Sequence, residues 1–270
     1  MGFLTNLKAQ KALTAQGKGN TEEAEKLYEE AFAKGVNTPR YVLSYAILLL
    51  RSGQFEKAKE LLVKHQKDPG MTGEAKNQLI TYYAVASHKL GKSDTAISKL
   101  EEIQRHGKSG LIYQTLGYIY ADKYDQAHTP DFSAMTVEEP VPEADPGVDG
   151  SVEAAKTPEE SWREGMEKAL AFNLEAVEYD EDDSVCLDNL AQVYYRVFGD
   201  KKQAKVWFDK AIAAKEGQID TLWFLSRYDL DEGNTAAALE KLEKALEGRF
   251  SPLNYVTKEI IEKEIARLKA

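Results

Sequence analysis

Four histidines, one cysteine and a surplus of carboxylates are the residues of this 270-residue chain with chemistry to offer. His65, His88, His106 and His128 fall at no spacing that puts two imidazoles on one metal, and no HExxH pair occurs. Cys186 stands alone, which rules out an intramolecular disulfide and a multi-cysteine metal site. With no histidine near it in sequence, it reads as a buried structural thiol. Asp145, Gly147, Asp149 and Gly150 imitate a calcium loop, but a ligand is missing at Gly147 and Lys156 stands where the closing glutamate belongs. The acidic run from Asp180 to Asp183 reads as a wet turn that places negative charge near the next helix start. Glycine-rich phosphate loops and the G-x-S-x-G nucleophile turn are absent. The chain therefore offers no catalytic constellation, and neither enzymatic activity nor a metal or cofactor is expected.

Charge narrows the partner classes. A net charge of −10 and a pI near 5.1 argue against nucleic acid, which needs a basic face, and against docking on anionic lipid. The longest apolar stretch, Ala46 to Leu50, is far shorter than the ~18 residues of a membrane span. Met1 to Gln10 shows no signal-peptide pattern, and Asn6 breaks the myristoylation motif. A cytoplasmic location is the expectation.

The elements that would position any site are set by six alanines: Ala24, Ala58, Ala96, Ala169, Ala204 and Ala238, with steps of 34, 38, 73, 35 and 34 residues. Around them recur apolar residues at helical spacing, such as Tyr194, Ala204, Phe208 and Ala211, or Leu222, Leu225, Ala238, Leu242 and Ala245. Ala46, Ala84, Gly117, Ala191 and Ser226 supply a second small residue, where one helix of a pair crosses the other closely. On these residues and this period the chain resembles the tetratricopeptide repeat family over almost its whole length, with about six repeats. The resemblance implies an all-α, right-handed superhelical solenoid of helix–turn–helix units, residues 1–270, whose stacking presents a groove. The family's proline near repeat ends is mostly replaced, for instance by Gly70, Lys108 and Glu181, and the fifth unit carries one extra residue near Phe198 and Gly199.

Helix punctuation agrees with the period. Gly91, Gly199 and Gly233 fall in turns, and Asn20, Ser93, Asp200 and Asn234 stand as N-cap candidates. Thr157-Pro158-Glu159-Glu160 is the strongest start signal, a capping box with proline at the first helical position. After Ser251-Pro252 the stripe Val256, Ile260, Ile261, Ile265 and Leu268 predicts a C-terminal capping helix over 252–270, with dimerisation as its alternative use. The 73-residue step marks an insertion in the fourth repeat, 125–157. Residues 129 to 160 hold five of the eight prolines and nine acids against one lysine, which predicts a flexible acidic loop.

The resemblance also implies where a partner would lie: on the first helix of each repeat, at its second, fifth, ninth and twelfth positions. Carried over, the partner-binding candidates are Arg40, Leu43, Ile47, Tyr118, Gln192, Tyr195, Trp223 and Arg227, with Arg51 and Arg196 next to the twelfth positions. The N-terminal part of this face is apolar, and the C-terminal part mixes aromatics with arginines, the types enriched at binding hot spots. Leu43 and Ile47 also fit simple packing against a neighbouring repeat. The carboxylate clamp of chaperone-binding members is not reproduced in any three successive repeats. The implied function is a scaffold or adaptor that holds a protein or peptide partner in the groove. The alternatives are a self-assembling structural subunit, and a regulator gated by the acidic loop.

Overall fold

The computed structural model describes residues 3–135 and 156–270; the proline-rich part of the acidic insertion, with Asp145 and its neighbours, lies outside them. Among the described residues every regular element is helical. The helices pair as α1 (Phe3–Gly17) with α2 (Thr21–Phe32), α3 (Pro39–Arg51) with α4 (Phe55–His65), and α5 (Gly73–Lys89) with α6 (Ser93–Gln104). Then come α7 (Gly110–Lys123) with α8 (Pro158–Tyr179), α9 (Ser184–Gln192) with α10 (Lys201–Ala214), and α11 (Ile219–Asp231) with α12 (Thr235–Leu246). A last helix, α13 (Lys258–Lys269), packs on α12.

The alanine rhythm is a rhythm of burial. All six alanines are 0% exposed, and so are Ala46, Ala84, Ala191 and Ser226 opposite them. A small residue on each helix lets the two backbones approach, and larger neighbours close the seam: Tyr28 stacks on Tyr45 with centroids 5.0 Å apart, and Phe208 on Phe224 at 4.9 Å. The turns inside the pairs use glycine for a backbone that other residues resist; Gly91 (φ 76°) and Gly233 (φ 79°) are left-handed. The Thr157 capping box forms as read, Asp200 and Asn234 cap α10 and α12 through their side chains, and Ser93 is instead the first residue of α6.

Gly165 of α8 is the tightest glycine. A Cβ there would lie 2.2–2.4 Å from the Tyr124 ring. Tyr124 is itself wedged against Trp162 (centroids 4.9 Å) and Tyr120. Gly165→Ala is expected to cost about 1–3 kcal/mol through overpacking. Gly107→Ala, where a Cβ meets nothing within 4 Å, should change little. Paired thermal melts check the contrast.

The fifth repeat absorbs its extra residue within its first helix rather than in the turn. Residues Val193–Val197 continue α9 as a π-turn, with Phe198 N donating to Val193 O at 3.2 Å. A π-turn shifts the phase of the residues that follow it. The start of the insertion is short 3-10 turns, Gln126–His128 and Phe132–Ala134. Phe132 meets the Trp162 ring edge-on, and Gln126 Nε2 donates to Val197 O at 3.4 Å.

A concave groove and the strap that crosses it

The first helices of five repeats converge on one cavity of about 590 Å³. From α3 come Ile47, Leu50 and Arg51; from α5 Thr81, Tyr82 and Val85; from α7 Leu111, Gln114 and Tyr118. Val185 and Asp188 of α9 and Asp220 of α11 complete the wall. Ten of these occupy the second, fifth, ninth or twelfth positions of their repeats. Leu111 is 42% exposed, a large apolar side chain turned toward solvent at the groove.

The tail of the last repeat closes the cavity's far side. Between α12 and α13, residues 249–257 form a strap that runs back across the concave face, and Arg249, Ser251, Pro252, Leu253 and Asn254 line the cavity. The capping helix therefore starts at Lys258, six residues later than the sequence suggests. Leu253 packs against two separate cores, one with Leu50 and Val85, the other with Tyr118 and Leu116. Asp220 fixes the strap: its carboxylate accepts from Asn254 Nδ2 (3.0 Å), Tyr255 N (2.9 Å) and Val256 N (3.3 Å). Tyr118 Oη donates to Asn254 O at 3.4 Å and accepts from Lys89 Nζ at 3.0 Å.

Beneath the strap lies a saturated ionic network. The π-turn aims Arg196 inward, where it is 5% exposed. Its Nη2 donates to Asp122 (2.6 Å), its Nε to Asp125 (2.7 Å) and its Nη1 to Gln192 Oε1 (2.8 Å), while Tyr255 covers its face at 4.1 Å. Burial pushes the Asp122 carboxyl up, but His88 and Arg196 outweigh it and hold the group well below the usual range. His88 lies 3.1 Å from Asp122 through Nε2 and 3.0 Å from Ser93 Oγ through Nδ1. That is the order of a hydrolytic relay, but the Asp122 carboxylate is also held by Arg196.

Asp188 and Asp220 form a second buried pair, 2% and 3% exposed. Asp188 accepts from Thr221 Oγ1 at 2.5 Å and Gln192 Nε2 at 2.7 Å. Burial first, and then the Asp220 charge, raise the Asp188 carboxyl toward neutrality; burial also raises Asp220. Folded pKa values above the unfolded ~3.9 mean that the folded chain holds protons the unfolded chain has released. This contribution is full below ~3.9 and is lost as pH rises into the neutral range. Asp188→Asn should therefore flatten the decline: the melting-temperature gap between variant and wild type should shift in the variant's favour from about pH 5 to about pH 8. Parallel curves would contradict it.

The expected anchors divide. Ile47, Arg51 and Tyr118 line the cavity, Tyr118 only 3% exposed. Leu43 is core, 8% exposed among Val42, Leu62 and Leu79. Gln192 (0% exposed) and Arg196 are consumed by the buried network and have no hydrogen-bonding capacity facing a partner. Tyr195 packs between Phe224 and Phe208 with centroids 5.0 and 6.3 Å away. Trp223 lies under Arg227 at 4.1 Å, and Arg227 Nη1 donates to Glu264 of α13 at 2.6 Å. The Arg267 and Arg227 guanidiniums hold the Glu264 carboxyl down to about 2. The arginine–aromatic end thus receives the chain's own tail. Arg40 is exposed at the start of α3, outside the cavity lining. Sequence reading missed Leu253, Asn254, Arg249 and the Asp122–Asp125 pair.

Burial pushes the Cys186 thiol up to about 12, so it is no thiolate at neutral pH. Among the described residues no cluster of three or more histidine, cysteine or acidic side chains could hold a metal, and no helix is long and apolar enough to cross a membrane.

Paired helices, alternating small residues and a concave face built from the first helix of each pair define a tetratricopeptide-repeat superhelix. No family model matches the sequence, and no curated protein does. Solved structures agree on the fold. A thermophilic tetratricopeptide-repeat protein of Thermus thermophilus superposes with a TM-score of 0.59 at 15% identity, covering 86% of this chain and 99% of that one. PilW, a type IV pilus biogenesis factor, gives 0.60 at 13% identity over 100% of both chains. Human IFIT1, solved as a dimer with PPP-AAAA, gives 0.59 at 15% identity; this chain spans 54% of its length.

Proposed function

We propose that the protein is a non-enzymatic adaptor that holds an extended segment of a partner protein in the open part of its concave groove. The observation that carries this reading is the convergence of five repeats on a cavity with exposed Leu111 and half-buried Ile47 at its surface. A folded monomer gains nothing by leaving such side chains to water, whereas an incoming apolar residue is stabilised by covering them. Partner contacts then fall on Ile47, Arg51, Leu111 and the rim of Tyr118, while Gln192, Arg196, Trp223 and Arg227 support the wall. The IFIT1 ligand means that the fold by itself does not exclude nucleic acid; the net charge of −10 is what argues for protein. A reducing cytoplasm suits a chain with a single, buried thiol.

Leu111→Asp should cut partner recovery at least about tenfold, the effect of losing one apolar anchor. Val206→Asp, equally exposed on α10 (47%), should leave recovery unchanged. Quantitative affinity capture from the native extract reads both; equal loss in the two variants, or in neither, counts against the groove.

A further inference from the structure

The rim of the cavity carries an excess of positive charge that nothing in the fold uses. Arg51, the last residue of α3, and Arg249, the first residue of the strap, line the same cavity although 198 positions separate them. Lys215, between α10 and α11, lines it too. Among the described residues none of the three has an ion pair or a side-chain hydrogen bond. The other groove-end arginines differ: Arg196 and Arg227 are matched by Asp122, Asp125 and Glu264. Burial and then Arg249 disfavour the Arg51 charge, so the fold brings two cations together at a cost. The acids facing the cavity are Asp188 and Asp220, and they do not neutralise the rim. They lie buried in the wall, bound to Thr221 and Gln192 and to the strap. The same cavity is lined by the aliphatic Ile47, Leu50, Val85 and Pro252.

We propose that the groove selects acidic–aliphatic peptide segments, with a partner carboxylate bridging Arg51 and Arg249 while the adjacent aliphatic side chain enters the cavity between them. This rests on the groove reading and specifies its ligand. Guanidinium forks suit carboxylates by geometry and charge. Three cations are too few for a phosphate backbone, whose binding depends on many such contacts. The site is not the chaperone clamp of the fold, since Arg249 lies outside the repeats. It exists only because the strap returns across the groove.

Fluorescence anisotropy on the full chain tests it with three fluorescein-labelled peptides, alternating glutamate–leucine, serine–leucine and lysine–leucine. The glutamate–leucine peptide should bind tightest, and its affinity should fall with salt. Arg51→Glu and Arg249→Glu should each weaken it by roughly tenfold or more. Arg40→Glu, equally exposed but outside the cavity, should not. All three side chains are exposed, so melting curves should remain those of wild type. Equal affinity for glutamate–leucine and serine–leucine, no response to the two substitutions, or no binding of any peptide overturns the inference. Displacement of the peptide by a single-stranded oligonucleotide at comparable affinity overturns the ligand class. Leu111→Asp separates the two levels. If it abolishes peptide binding while the arginine variants do not, the groove stands and the carboxylate site falls; if none of these variants matters, the groove reading falls as well.

Discussion

Arg196→Ala should be the most damaging single substitution in the chain, lowering stability by about 3–5 kcal/mol at neutral pH. The arginine is 5% exposed and its fork is spread over Asp122, Asp125 and Gln192. Truncation removes the guanidinium that Asp122 and Asp125 share, and it also removes the surface on which Tyr255 lies. The pH dependence identifies the cause. Asp122 is held below its ordinary range in the folded chain, so its contribution is present above the unfolded ~3.9 and is lost as pH falls through the folded value. Without Arg196 that advantage shrinks to what His88 supplies, and protonation then relieves the repulsion. The gap between variant and wild type should be widest near neutrality and should narrow toward about pH 4. Urea unfolding at several pH values measures it; a gap that stays constant would mean that lost packing, not lost charge pairing, dominates.

Asp220→Ala is expected to follow closely. It strands three donors on the strap, Asn254 Nδ2 and the amides of Tyr255 and Val256. Each buried donor left unsatisfied costs about 1–3 kcal/mol, and part of this is recovered when the freed strap meets water. A net loss of about 2–4 kcal/mol is expected. Its location should be local, because repeats communicate mainly through their neighbours. Hydrogen exchange should accelerate at least about tenfold at Tyr255 and Val256 and stay unchanged in α1 and α2. The Asp188 carboxyl should also move back toward its ordinary range, since Asp220 is the second of the two influences that raise it. Unchanged protection at Tyr255 would show that Leu253 packing alone holds the strap.

Much of the architecture was legible because it is periodic. The six alanines and the capping box at Thr157 are signals local to one helix, and local signals survive in a single sequence. The residues that line the cavity recur at repeat positions, each on a helix face fixed by the period. The roles were not legible. Arg196 carries a charge, and charged residues are rarely buried unless paired; its pairing depends on a π-turn one residue long and on acids more than 70 positions away. Trp223 and Arg227 had the composition of a hot spot, but α13 reaches them first through Glu264. The strap has no periodicity at all. Its clues are an aspartate at a groove position, Asp220, and an asparagine 34 residues on, and nothing local links the two.

The central claim is that a partner lies in the open part of the concave face, beside the strap. Site-specific photocrosslinking in the native cell tests it most directly, with a benzophenone amino acid placed at Leu111 in the groove or at Val206 on α10. The account predicts a covalent adduct with a partner protein from position 111 and none from position 206. An adduct from position 206 with none from 111 would contradict it.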